Sequence, residues 1–201
     1  MTAGAAASNL TPLPAGKLAT LVTFLQMAAA PPPRPVPARP DLALRLVERP
    51  HPDWYRDLYR RVGSDWLWFS RLLIRDDELA SILHDPAVEV WSLDRDGRSV
   101  GLLELDRRQD GEVELAYFGL VPELVGGGAG RLLMAHAIGR AFAQPTRRFW
   151  LHTCTLDHPA ALGFYIRSGF TPYGRAIEIA DDPRLTGALP RTAAPWLPVI
   201  A

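Results

Sequence analysis

Four glycines crowd the stretch Val125-Gly-Gly-Gly-Ala-Gly-Arg131, where an apolar run gives way to an amphipathic one. Glycine lacks a Cβ, so Gly126, Gly127, Gly128 and Gly130 let the backbone come close to a ligand. A turn entering a helix also leaves N–H groups unpaired, and these together with the helix dipole favour an anion such as a phosphate. Arg131, just inside the helix, adds a charge-assisted donor. Spacing narrows the ligand. A Walker loop needs Gly-Lys five positions after its first glycine, and Arg131 stands there. A dinucleotide fingerprint starting at Gly126 and Gly128 needs glycine at 131, again Arg131, and no acidic residue follows at a strand end about 20 positions on. A glycine loop without a ligand is the plain alternative, and the strand–turn–helix context weighs against it.

Other reactive side chains are sparse. His152 and Cys154 lie two apart on an expected strand and share a face. A Cys–His nucleophile pair needs more support than that, and a packed pair is expected. The five histidines show no metal-ligand spacing with cysteine or acids, so no metal is expected. Cys154, the single cysteine, forms no internal disulfide and suits a reducing, cytoplasmic compartment. Lys+Arg and Asp+Glu both total 22, and this balance gives no reason to expect a nucleic-acid or membrane-surface partner. No stretch is long and apolar enough to span a bilayer. Residues 18–30 follow Lys17 and resemble a signal peptide in outline. Thr20, Thr23 and Gln26 interrupt the run, and an N-terminal strand is the preferred reading.

The elements that must position these residues follow from periodicity. Residues 1–16, rich in Ala, Pro and Gly, are expected to be disordered, and the proline-dense 31–40 to be a stiff extended connector. Strands are expected over 42–48, 88–93, 100–106, 112–121, 149–154 and 170–179. Trp54, Leu58 and Val62 recur every fourth residue, which predicts a helix over 53–62 that Gly63 can end. A second helix is expected over 76–84, a third after the glycine turn, and a short one over 159–168. The Asp-Gly pairs at 96–97 and 110–111 predict an antiparallel three-stranded meander. The result is an α+β domain on one mixed, mostly antiparallel twisted sheet flanked by about four helices. Its divisions are an N-terminal part over 1–40, the main domain over 41–180 and a loop-rich tail over 181–201.

Gly128 and Gly130 match the Arg/Gln-x-x-Gly-x-Gly/Ala loop of the GNAT superfamily of acyl-CoA N-acyltransferases, with Val125 standing where that family usually has Arg or Gln. A second stretch, His158-Pro-Ala-Ala161-Leu-Gly-Phe164-Tyr165-Ile-Arg-Ser-Gly169-Phe170, is similar to a later motif of the same family, with His158 in place of Asn. The resemblance covers 42–179 and leaves the N-terminal strand outside the common core.

The resemblance implies a GNAT-type fold and an acetyl-CoA-dependent N-acetyltransferase in which an amine of a small molecule or peptide attacks the thioester directly. It implies that two central strands splay, with Gly119 as a bulge marking the splay. Backbone groups at Leu120 and Val121 would pair with pantetheine, and Gly126, Gly127, Gly128, Ala129, Gly130 and Arg131 would take the pyrophosphate. His158, Ala161 and Phe164 belong to the cofactor-side motif, although His158 equally suits the start of a helix. Tyr165 matches the tyrosine that protonates the leaving thiolate, which a phenol of pKa about 10 can do within hydrogen-bond reach. The amine must be neutral to attack, and Glu112 and Glu114, on one strand face, are the candidate bases. Both also suit a solvent-facing role. Trp66, Trp68 and Phe69 are candidate walls of an acceptor pocket. A catalytically silent acyl-CoA-binding module is the alternative function. The N-terminal strand suits pairing within one chain or across a homodimer.

Overall fold

The computed structural model describes residues 10–201. Of the segment expected to be disordered, residues 1–9 lie outside the described residues. Residues 10–16 carry no regular element and lead directly into β1, Lys17–Met27. There follow β2 (Ala43–Leu46), α1 (Pro52–Gly63), a 3-10 turn (Ser64–Trp66), α2 (Ser70–Leu73), α3 (Asp76–Leu83), β3 (Val88–Arg95), β4 (Arg98–Asp106) and β5 (Glu112–Leu120). A second 3-10 turn (Pro122–Leu124) precedes α4 (Ala129–Ala141), β6 (Arg148–Cys154), α5 (Ala161–Arg167) and β7 (Thr171–Asp181).

Local chemistry explains the boundaries. His51 caps α1 by accepting from the Asp53 N–H at 3.2 Å, and Pro52 occupies the first turn, where its missing N–H costs nothing. Tyr55, Leu58, Tyr59 and Val62 recur at helical spacing and are all buried. The β3–β4 hairpin turns on Asp96 and Gly97 at φ 51° and 74°. Two successive positive φ angles are the mirror-image turn that suits strand twist, and Asp-Gly adopts it readily.

The seven strands form one sheet in the order β2-β3-β4-β5-β6-β1-β7. All pairings are antiparallel except β5 with β6. This is the expected α+β architecture, with five α-helices among the described residues rather than about four, because the short α2 breaks the aromatic stretch between α1 and α3. Val100 to Leu105 of β4 are buried without interruption, so the sheet is covered on both faces there. A Cβ on Gly119 would meet Val62 of α1, while Leu120, on the opposite face, approaches Gly130 of α4. The core joins Tyr55, Leu58 and Val62 to Leu102, Leu103, Leu105, Leu133, Met134 and Phe149. Burying one Leu or Phe in such a core contributes about 1.5–3 kcal/mol.

One expectation needs correction. Gly119 does not mark a bulge: it pairs in register with Leu102. The extra residue is Ala116, since Glu104 faces Tyr117 while Leu105 faces Leu115. Gly119 serves packing instead, because a Cβ there would lie 2.3 Å from Val62 Cγ1, closer than any real contact. The N-terminal strand, whose pairing the sequence left open, sits inside the sheet. It pairs with β6 along one edge and with β7 along the other, within the same chain.

The tail is loop-rich but tied down. Buried Arg184 donates through Nε and Nη2 to the Asp182 carboxylate at 3.0 and 2.7 Å, and through Nη1 to the Leu197 carbonyl at 2.7 Å. Leu189, Ala193 and Ala194 pack against Leu67. No helix among the described residues is long and apolar enough to cross a membrane.

Candidate active site

Strands β5 and β6 are joined at Glu112–Arg148, Val113–Phe149 and Glu114–Trp150, and then they part. Beyond Glu114, β5 keeps its antiparallel partner β4, and β6 keeps β1, but the facing edges separate. A cavity of about 810 Å³ occupies the gap. Leu115 to Leu120 form one wall, and His152 and Cys154 stand on the other. The Ala116 bulge lies at the opening of the fork, where added local twist helps turn β5 away.

The glycine turn closes one end. Gly126 and Gly128 have φ of +86° and +85°, a region that side chains rarely adopt. The N–H groups of residues 126–130 form no hydrogen bond with the described residues. Gly126, Gly128, Gly130 and Arg131 line the cavity. Gly127 and Ala129 do not; Ala129 is buried beneath the turn as the first residue of α4. Val125 lines the cavity and is exposed. Uncommitted amides, positive-φ glycines and the cavity-lining Arg131 make a cradle that suits a diphosphate.

Leu120 lines the cavity, whereas Val121 is buried and its N–H donates to the Val100 carbonyl at 3.0 Å. The Val121 carbonyl accepts from the Leu124 N–H at 3.0 Å, so both backbone groups of Val121, expected to pair with pantetheine, are engaged within the chain.

Helix α5 supplies the side chains beside the turn. Phe164 stacks on Phe118 at 5.7 Å and, with Ala161, lines the cavity. Tyr165 packs edge-on to Phe164 and Phe170, and its hydroxyl has no hydrogen-bond partner among the described residues. Tyr165 lines the cavity as well, so an unspent O–H donor stands at the fork. Burial raises its pKa, and the nearby Asp157 carboxylate raises it further, which keeps the phenol protonated. Asp157 accepts from Thr153 Oγ1 at 2.7 Å, the Cys154 N–H at 2.9 Å and Trp68 Nε1 at 3.2 Å. His158 stands between the cavity and the start of α5. Its Nδ1 accepts from the Ala160 N–H at 3.0 Å ahead of α5, and its ring lines the cavity against Trp66.

The opposite end of the cavity is aromatic. Trp66, Trp68 and Phe69 all line it, joined by Tyr59 and Tyr117. Tyr59, Trp68 and Tyr117 meet with ring centroids 5.0–5.4 Å apart. Ser70 Oγ lies 2.5 Å from Tyr117 Oη and 3.2 Å from Tyr59 Oη. Behind them the fully buried Glu104 carboxylate is held by Tyr55 Oη and Arg71, whose guanidinium covers the Tyr117 ring at 5.1 Å. A buried carboxylate of this kind persists only when its partners satisfy it. Glu104, a lone acid within the apolar run of β4, was the sequence signal for this network; Tyr59, Tyr117 and Asp157 carried no such signal.

The two candidate bases separate. Glu112 is bound by Arg148 through Nη2 at 2.6 Å and Nε at 3.1 Å. Glu114 has no arginine and stands 4.0 Å from His152 Nε2. Burial, followed by the neighbouring Asp106 and Glu104 carboxylates, pushes Glu114 up to about 7. Both glutamates border a smaller cavity of about 250 Å³ rather than the large one. His152, 4.0 Å from Glu114, lines the large cavity. The packed His152–Cys154 pair expected from sequence is thus an arrangement in which both residues face the gap. Strands β1 and β7 add Thr20 and Glu178 to the walls. Among the described residues, no group of three or more His, Cys, Asp or Glu is arranged to hold a metal ion.

The profile of the acetyltransferase (GNAT) family matches residues 46–170. No curated protein matches the chain. Among solved structures, a functionally unknown conserved protein from Staphylococcus epidermidis superposes with a TM-score of 0.57 at 17% identity, covering 83% of this chain and 64% of that one. A GCN5-related N-acetyltransferase from Sphaerobacter thermophilus gives 0.58 at 17%, covering 81% of this chain and 51% of its own. An aminoglycoside acetyltransferase from an uncultured soil metagenomic sample gives 0.54 at 13%, covering 64% and 88%. The chain therefore spans between half and two thirds of the first two, and identities this low speak for the fold alone.

Proposed function

The chain belongs to the GNAT acetyltransferase family, and on that premise we propose that it transfers an acetyl group from acetyl-CoA to an amine of a small molecule or peptide. The observation that carries this reading is the fork between β5 and β6, with a glycine cradle at one end and the unpartnered Tyr165 hydroxyl beside it. Bound acetyl-CoA supplies the activated acyl group and a thiolate leaving group. The N–H groups of Gly126, Gly128 and Gly130, with Arg131, hold the diphosphate, and the free edge of β5 around Leu120 orients the pantetheine arm. Ala161 and Phe164 wall that side. Tyr165 Oη donates its proton to the departing sulfur.

The attacking amine enters from the aromatic end, where Trp66, Trp68 and Tyr117 exclude water. Its proton passes to His152 and on to Glu114, whose pKa near 7 suits a proton acceptor at neutral pH. Glu112, neutralised by Arg148, is the weaker candidate. The catalytic domain in this reading is 41–180 with β1 built into its sheet, and the lone thiol and acyl-CoA chemistry suit the cytoplasm.

The test is incubation of the protein with acetyl-CoA and a panel of amines, with release of free thiol followed. Amine-dependent thiol release is the expected result. Tight acetyl-CoA binding with no turnover on any amine would replace the enzyme reading with a silent acyl-CoA-binding module.

A further inference from the structure

The proline-dense connector does not simply span from β1 to β2. Pro31 packs 3.2 Å from where a Cβ on Gly169 would stand, at the end of α5, and Arg34 donates to the Arg167 carbonyl. Pro37 then comes within 3.0 Å of the position of a Cβ on Gly128. Arg39 donates through Nη1 to the Gly127 carbonyl at 2.8 Å. Its Nε and Nη2 are held by the two oxygens of Asp41 at 2.8 and 2.7 Å. The connector is thus a strap laid across the outer side of the glycine turn, and it lies wholly outside residues 46–170.

Three facts give the Arg39 contact a specific consequence. A trans peptide is planar, so a carbonyl and the next N–H point in opposite directions. Holding the Gly127 carbonyl on the strap side therefore turns the Gly128 N–H away from the strap. Gly126 and Gly128 line the cavity while Gly127 does not. Successive glycines choose freely among backbone conformations unless something selects one, and that ordering is otherwise a cost of binding.

We propose that Arg39, clamped by Asp41, is a positioning residue that pre-sets the 127–128 peptide of the diphosphate cradle. It does not touch the ligand; it removes the alternative conformations of the turn before the ligand arrives. This rests on the acyl-CoA reading of the cavity, and the experiment below separates the two.

The full chain, its Arg39→Ala and Arg39→Gln variants, and an Asp41→Asn variant are titrated by calorimetry with CoA and with acetyl-pantetheine, which lacks the diphosphate. Backbone 15N order parameters of residues 126–130 are measured on the same proteins without ligand. Removal of Arg39 is expected to weaken CoA about tenfold, the scale of one charge-assisted hydrogen bond, and to leave acetyl-pantetheine unchanged. Order parameters at 126–130 are expected to fall, and turnover at saturating acetyl-CoA to keep its kcat while KM rises. Asp41→Asn shifts the same quantities in the same direction by less. Wild-type CoA affinity and order parameters in both Arg39 variants would overturn the proposal. So would equal weakening of both ligands, which marks a general structural contact. If the wild type binds no CoA, the acyl-CoA reading fails, and the unliganded order parameters still decide whether the strap orders the turn.

Discussion

The two ends of the cavity are built from different materials. At the glycine end the functional groups are backbone amides, displayed by positive-φ glycines and a helix start. At the aromatic end they are side chains, with Tyr59, Trp68 and Tyr117 braced by Ser70, Arg71 and the buried Glu104. A backbone-built end tolerates changes of side chain but not a Cβ at the wrong place. An end built from side chains can be remodelled one residue at a time. The first kind suits a cosubstrate that never changes, the second an acceptor that differs from one enzyme to another.

Tyr165 lines the cavity from α5 and should give the largest effect. Tyr165→Phe keeps the ring packing and removes the one O–H, so kcat is expected to fall about a hundredfold or more with acetyl-CoA affinity unchanged, as read from thiol release and calorimetry. Equal loss of kcat and affinity would place the hydroxyl in binding rather than proton transfer.

Glu114→Gln is expected to lower kcat/KM about tenfold above neutral pH. In the wild type, kcat/KM should rise with pH to a plateau through about 7, where Glu114 ionises, and the variant should lose that limb. Stability gives an independent reading. The ordinary value of 4.5 is raised in the folded state to about 7, so the fold holds this proton more tightly than the unfolded chain. Wild-type stability is therefore lost as pH rises between these values. Denaturation midpoints should show Glu114→Gln more stable than wild type at pH 8 and not at pH 4.

At the backbone end, Gly128→Ala places a Cβ at φ +85° and 3.0 Å from Pro37. It is expected to weaken CoA about fivefold through strain of roughly 1 kcal/mol, while leaving the acceptor KM alone. A change in acceptor KM would break the separation between the two ends. Val125→Arg should have the smallest effect, tightening CoA by about two- to threefold through one exposed cation, with the gain disappearing at high salt.

The same division explains what the sequence made legible. The glycine turn reads directly because its signal is local: residue type, spacing and the helix that follows. The Asp96-Gly97 hairpin and the α1 stripe are legible for the same reason. The aromatic end depends on contacts across the sheet. The clamp of Arg71 and Tyr55 on Glu104 joins residues 33 and 49 positions apart, and no short-range pattern announces it. Glu112 and Glu114 look equivalent as strand neighbours, and only Arg148, brought alongside by β6, separates them. Glycine in a strand serves both bulges and close approach, so the sequence around Gly119 is compatible with either. The choice between these lay in Val62, on a different element.

The place of β1 also governs how the chain reaches this structure. Lys17 faces Asp181 and Val22 faces Cys154, so β1 leaves the ribosome long before either of the strands it pairs with. Pairing across so long a separation is slow, because the loop must close before the contacts reward it. During that interval both edges of β1 are open to other chains, the condition in which aggregation competes with folding. A shortened chain beginning at residue 41 would retain the whole family-matched segment and still lack the strand that joins β7 to β6, and recovering it in soluble form should require adding residues 17–27 back.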